Sequence, residues 1–258
     1  MLTALVGHWL AVLMGVSLGL MGGGGSILAA PVLIYIMSVP AKSAFAMTLV
    51  IVGFVSLIGA IPHWQQGHIN LKIVALFSPA AMLGAYVGAR LTALPWITST
   101  VQLVTFGGMM FVASVMMIRK ANGQPECCDP VGYSVKRSRI PKGVMIALEG
   151  LIVGVLTGFV GIGGGFLVIP ALVILGKTPM KEAVGTSLII LALKSITGFA
   201  GYWGHVWIDW VLLTSFTMAA TIGILLGSYL SQWVSAKQLE QGFGYFVLVV
   251  AIFVLIRR

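Results

Sequence analysis

Gly19-Leu20-Met21-Gly22-Gly23-Gly24-Gly25-Ser26-Ile27-Leu28-Ala29-Ala30-Pro31 is written twice in this chain, returning 139 residues later as Gly158-Phe159-Val160-Gly161-Ile162-Gly163-Gly164-Gly165-Phe166-Leu167-Val168-Ile169-Pro170. The register then holds without a gap through Pro40/Pro179, Lys42/Lys181, Ala44/Ala183, Ser56/Ser195, Gly59/Gly198, Trp64/Trp203, Gly84/Gly223 and Gly88/Gly227. Each copy sets a run of glycines and a proline inside a long apolar stretch. Gly- or Pro-interrupted apolar segments at matching places in two halves are a sequence pointer to a transporter's binding site.

The flanks of the repeat decide the solvent. Of 258 residues, 59% are hydrophobic and 8% charged, with a mean hydropathy of +1.07. Soluble domains carry about 25% charged residues, so a soluble globule is excluded. Residues 2–41, 43–71, 91–118 and 150–176 contain no Lys, Arg, Asp or Glu, and a membrane-spanning helix needs about 20 such residues. Alternation at the strand period is missing, which argues against an outer-membrane barrel. The expected fold is an all-α polytopic membrane protein of two homologous repeats. Each has about four transmembrane helices and a Gly-rich broken or re-entrant first segment. Residues 1–118 form the first repeat, 119–142 a basic linker and 143–258 the second repeat.

The net charge of +9 does not indicate nucleic acid, because the basic residues form no stripe with interleaved aromatics. They gather at segment ends and in the linker, where Arg119, Lys120, Lys136, Arg137, Arg139 and Lys142 face only Glu126 and Asp129. Positive residues mark cytoplasmic loops. The linker and Arg257-Arg258 are therefore expected on the cytoplasmic side, which favours four spans per half. Cys127 and Cys128 are adjacent and read as a reduced, incidental pair rather than a disulfide or metal site. The N-terminus lacks a basic n-region and a small-residue cleavage site, so it reads as a retained first helix.

A single helix over residues 2–41 would be about 60 Å long against a hydrocarbon core of about 30 Å. The chain must therefore break, and Gly22–Gly25 and Gly161–Gly165 mark where. If the piece after the glycines turns back part-way, each half keeps four spans. If it crosses, each half has five and the repeats become inverted. Thr178-Pro179 reads as a cap opening a helix near 180–203, and Asn70 and Asp209 as caps before the runs at 71 and 210.

Several residues could carry chemistry. Gly22, Gly23, Gly24, Gly25 with Ser26, and Gly161, Gly163, Gly164, Gly165, leave backbone N–H groups that hydrocarbon cannot satisfy. A helix N-terminus there would suit an oxyanion; close helix packing is the alternative. Gly84-x-x-x-Gly88 and Gly223-x-x-x-Gly227 read as packing motifs. Lys194 lies mid-span, where a charge costs at least about 2.5 kcal/mol, with Ser187 and Ser195 nearby. It either faces the substrate or pairs with Glu149. His63, Trp64, Tyr202, Trp203 and His205, at the ends of the second helices, are interfacial anchors or a gate. Met109, Met110, Met116 and Met117 read as core filler. No metal or cofactor is called for.

At Gly19-x-x-Gly22-x-Gly24-Gly25-x-x-x-x-x-Pro31 and Gly158-x-x-Gly161-x-Gly163-Gly164-Gly165-x-x-x-x-Pro170, followed by Pro40-x-Lys42 and Pro179-x-Lys181, the chain resembles the sulfite exporter TauE/SafE family. The first copy departs at Gly23 and Ser26, where the second has Ile162 and Gly165. The resemblance implies a secondary transporter of the prokaryotic cytoplasmic membrane moving sulfite, an organosulfonate such as sulfoacetate, or a related small anion. It implies a small anionic substrate and the lipid bilayer as partners, while a proton or sodium ion remains a candidate coupling ion and a homo-oligomer remains open. An anion channel is the rival reading, and an intramembrane enzyme the next, but neither repeated charged rings nor a clustered catalytic set appears.

Overall fold

The computed structural model describes residues 2–91, 99–122, 142–160, 165–176, 178–202 and 206–256. Among them every regular element is helical. The first half comprises α1 (Leu2–Met21), a 3-10 turn Gly22–Gly25, α2 (Ser26–Pro31) continuing as a π-turn Val32–Ile36, α3 (Ala41–Gln65), α4 (Leu71–Leu91) and α5 (Ser99–Asn122). The second comprises α6 (Lys142–Val160), α7 (Gly165–Pro170) with a π-turn Ala171–Leu175, α8 (Met180–Tyr202), α9 (Trp210–Leu230) and α10 (Ala236–Ile256).

Five segments are long and apolar enough to cross a membrane: Leu5–Ile36, Lys42–Gln65, Leu71–Gly88, Met180–Ala200 and Trp210–Leu230. Val104–Arg119 and Gly143–Phe159 are shorter apolar helices. The segments of α3 and α8 are 72% and 67% buried against 39–44% for the other three, so α3 and α8 form the centre of the bundle. Outward faces carry exposed apolar side chains such as Trp9, Phe54, Ile196, Val211 and Met218, as expected where lipid replaces water as solvent.

The first segment breaks at the expected glycines, and the break is a reversal. Gly25 packs on Met14 and Leu18 of α1, and Gly7 packs on Met37, so α2 and its π-turn run back along α1. Gly22 has φ +62°, a left-handed conformation open to glycine and costly for other residues. Because the chain returns to the side on which α1 began, α3 starts there as well and runs parallel to α1. Its end meets the end of α1, where His63 Nε2 lies 3.4 Å from the Gly19 carbonyl.

Helix directions follow from the glycine contacts. Gly59 meets Leu188, Gly53 meets Ser195 and Gly198 meets Leu49, so α3 and α8 are antiparallel. Gly15 lies on Ala220 and Gly19 on Ile224 and Ser228, so α1 and α9 are parallel. Gly84 lies on Leu151 and Val155, and Gly88 on Val155 and Phe159, so α4 and α6 are parallel. Asn70 N donates to Thr186 Oγ1 at 3.0 Å, so α4 starts beside the first turns of α8 and packs along it, antiparallel to α3. Helices 139 residues apart (α1 and α6, α3 and α8, α4 and α9) therefore point in opposite directions.

Each half keeps the expected Gly-rich broken first segment, and of the two outcomes the sequence left open, the returning α2 segment adds a pass beside α1 that turns the second half over. Gly24 meets Phe243 and Gly242 meets Met21, so α10 starts beside the end of α1 and runs away from it, while Gly143 meets Leu76 near the start of α4; Lys142 and Ile256 therefore lie at opposite ends of the bundle. The linker's residues 123–141, with Cys127 and Cys128, and Arg257-Arg258 lie outside the described residues.

Smaller expectations divide. Asn70 Oδ1 accepts from Lys72 N and Ile73 N at 3.1 and 3.2 Å, and Asp209 Oδ1 from Val211 N and Leu212 N at 3.0 Å, so both cap helices. At α8 the cap is Pro179 rather than Thr178: the Pro179 carbonyl accepts from Ala183 N at 2.9 Å, as that of Pro40 does from Ala44 N in α3. Both GxxxG pairs are packing motifs, and they pack on a second set. Gly84 and Gly88 face Gly154 and Gly158, while Gly223 and Gly227 face Gly15 and the Val16–Gly19 turn. Met110 and Met117 are fully buried, but Met116 faces outward.

Candidate functional site

The two Gly-rich segments meet. A Cβ on Gly23 would overlap the backbone of Gly165, and one on Gly165 would come within 2.8 Å of the Gly23 α-carbon. Gly24 packs on the Phe243 ring, 2.9 Å from a would-be Cβ, and Gly22 on Ser187 Oγ at 2.6 Å. Close approach alone requires glycine at these positions. Ser26 Oγ donates to the Gly23 carbonyl at 2.7 Å and ties the start of α2 to the turn. Gly161, Gly163 and Gly164 lie outside the described residues.

One face of α8 passes both segments. Ser187 touches Gly22, Leu191 touches Gly165, and Lys194 follows at the next turn, the i, i+4, i+7 spacing of a helix face. Ser187 Oγ donates to the Val184 carbonyl at 2.8 Å. Lys194 is 2% exposed and Nζ donates to Thr157 Oγ1 of α6 at 2.9 Å. Thr157 Oγ1 in turn donates to the Gly154 carbonyl at 3.1 Å. Glu149 stands two turns away on α6, 9% exposed, with Oε2 lacking a hydrogen-bond partner. Lys194 is thus held by a hydroxyl from the other side of the α6–α8 contact, and no ion pair with Glu149 is formed among the described residues.

Ser195 points away from this face. It is 3% exposed, lies against Gly53 and lines a groove of about 370 Å³ between α3 and α8; its Oγ has no hydrogen-bond partner. The structure therefore brings Gly22, Gly23, Gly165 and Ser187 together, sets Lys194 further along the same face of α8, and turns Ser195 away from that face.

Among the end-of-helix residues, His63 is buried, Tyr202 half-buried and Trp64 exposed; Trp203 and His205 lie outside the described residues. Thr157 was missed by the sequence reading. Its signal was present, since it is the sole hydroxyl-bearing residue in the charge-free run 150–176.

Lys194 is thus a buried lysine deep in an apolar bundle, one turn along α8 from Leu191, which packs on Gly165. Among the described residues no cluster of acids, bases and nucleophiles of a catalytic kind lies there. Comparison with known proteins agrees on the class. The chain is 31% identical over 95% of its length to a probable membrane transporter protein of Xylella fastidiosa strain 9a5c, covering 92% of that protein. It is 26% identical to the probable membrane transporter protein YdhB of Bacillus subtilis, over 84% of this chain and 85% of YdhB. It is 29% identical to the probable membrane transporter protein MJ0441 of Methanocaldococcus jannaschii, over 75% and 71%. No solved structure matches. The family model described as sulfite exporter TauE/SafE matches residues 9–254. Matched over nearly its whole length, this multi-pass membrane protein belongs to the TauE/SafE family of membrane transporters.

Proposed function

We propose that the protein is a secondary transporter that moves a small sulfur-containing anion, sulfite or an organosulfonate such as sulfoacetate, across the cytoplasmic membrane of a prokaryote. The carrying observation is the meeting of Gly23 with Gly165 beside the α8 face that bears Ser187 and Lys194. An anion leaving water needs compensation for lost hydration. One ammonium with backbone N–H dipoles supplies it without a rigid cage that would prevent release. Two inverted halves that meet at such a site suit alternating access by rocking one half against the other.

Counterflow in proteoliposomes tests the reading. Vesicles preloaded with unlabelled sulfite, thiosulfate, isethionate or sulfoacetate should accelerate uptake of the labelled anion. Flux that is insensitive to trans anion would identify a channel, and failure of the whole panel would sink the assignment.

A further inference from the structure

A small cavity opens where the turn after α3, the first turn of α8 and the connection from α9 to α10 come together. His63, Gln66, His68, Lys181 and Ser231 line it, with Leu20 and Val184 as apolar floor. Both floor residues adjoin the first glycine turn. Leu20 precedes Gly22 by two positions, and the Val184 α-carbon lies 3.1 Å from a would-be Gly22 Cβ. The cavity thus lies on the approach to the proposed site from one end of the bundle.

Its lining is one-sided in charge. Among the described residues no carboxylate contributes, and Glu182, next to Lys181, is engaged by Asn70 Nδ2 at 2.7 Å. Leu239 of α10 completes the wall, and the following Glu240 is not part of the lining. Among the described residues the titratable groups facing the cavity are therefore His63, His68 and Lys181; α1, α10 and the Ser231 connection contribute none. Its volume of about 10 Å³ holds one water-sized atom, such as one oxygen of an oxyanion. The rest of the anion would then lie among the half-buried Gln66, His68 and Lys181.

His63 sets the condition for that oxygen. The ring is 2% exposed and its Nδ1 has no partner. Nε2 approaches the Gly19 carbonyl, which can only accept, so Nε2 carries the hydrogen. In the neutral ring Nδ1 is then a lone pair, repulsive to an oxyanion. A proton on Nδ1 turns it into a charge-assisted donor.

We infer that this cavity is a mouth where a small oxyanion binds together with one proton. Lys181 supplies the charge, and Nδ1–H of His63 donates to the anion oxygen. The proton comes from water and rests on Nδ1 while the Nε2–H contact to Gly19 is kept, so no other bond is made or broken. This rests on the anion-transport reading and adds a proton-linked site that Ser187, Lys194 and the glycine segments do not provide.

Calorimetric titration of the purified full-length protein with ethanesulfonate tests it. This anion has no group titrating near neutrality, and one pH in two buffers of different ionisation enthalpy counts the protons taken up. Wild type should take up close to one proton per anion. His63→Gln, whose amide can donate without titrating, should bind within a few-fold of wild type and take up none. Lys181→Gln should bind about tenfold more weakly, and His68→Gln should leave the proton count unchanged. Wild-type binding without proton uptake, uptake persisting in His63→Gln, or wild-type affinity in Lys181→Gln overturns the mouth while leaving transport intact. Wild type that binds none of ethanesulfonate, sulfate and thiosulfate overturns the transport reading and the mouth together.

Discussion

The α-carbon of Gly23 rests against the backbone of Gly165, so the glycine-rich segments of the two halves touch main chain to main chain. No side chain fits between them. The contact joins the reversal in the first half to the start of α7 in the second, beside the face of α8 that carries Lys194.

Gly23→Ala should therefore be severe although it adds one methyl. The would-be Cβ meets backbone, which cannot rotate away, and overpacking of this kind costs about 1–3 kcal/mol or more. Transport in proteoliposomes should fall below a tenth of wild type, with a lowered melting temperature in detergent. Gly108→Ala is the matched control, because nothing lies within 4 Å of its would-be Cβ. Normal transport by Gly23→Ala would show that the two segments separate freely.

Lys194→Met should keep insertion and expression while anion affinity falls roughly ten- to a hundredfold, the equivalent of about 1.5–3 kcal/mol for a charged hydrogen bond. Because Lys194 bonds Thr157 and not Glu149, adding Glu149→Gln should not restore affinity. Restoration in the double variant would revive the ion pair.

Thr157→Val removes the hydroxyl acceptor of the buried ammonium at nearly constant volume. An unpaired buried donor costs about 1–3 kcal/mol, more when charged. The expected result is a several-degree loss of thermal stability that Lys194→Met largely relieves. Additive losses in the double variant would mean that the two side chains do not depend on each other.

Sidedness follows from the helix directions. In a Cys127→Ser, Cys128→Ser background, Lys42→Cys at the start of α3 and Lys237→Cys at the start of α10 occupy opposite ends of the bundle, and both positions are exposed. A membrane-impermeant maleimide applied to intact cells should label one and not the other. Labelling of both from outside would contradict the inverted arrangement.

Asn70→Ala should destabilise more than Asp209→Ala. Both lose a helix cap, about 0.5–2 kcal/mol. Asn70 also donates through Nδ2 to Glu182, at 2.7 Å, and so ties the two halves. Equal melting temperatures for the two variants would leave that tie without weight.

Composition and spacing made the membrane class, the family, the helix breaks and the capping of α4 and α9 legible, because each depends on local residues. Long charge-free runs require lipid, and contiguous glycines cannot continue an α-helix across it. The direction of the chain after Gly25 was not legible. It depends on Gly25 finding Met14 and Leu18 and on Gly7 finding Met37, contacts set by packing that no local pattern encodes. With few basic residues to weigh, the charge rule chose four spans, whereas the reversal decided the inversion. Likewise the sequence marked Lys194 and Ser195 as neighbours, and one helical step of about 100° sent them to different faces of α8. Only the fold brought Thr157 within 2.9 Å of Lys194 and Gly23 onto Gly165, since helices crossing in a bilayer meet where small residues let their backbones approach.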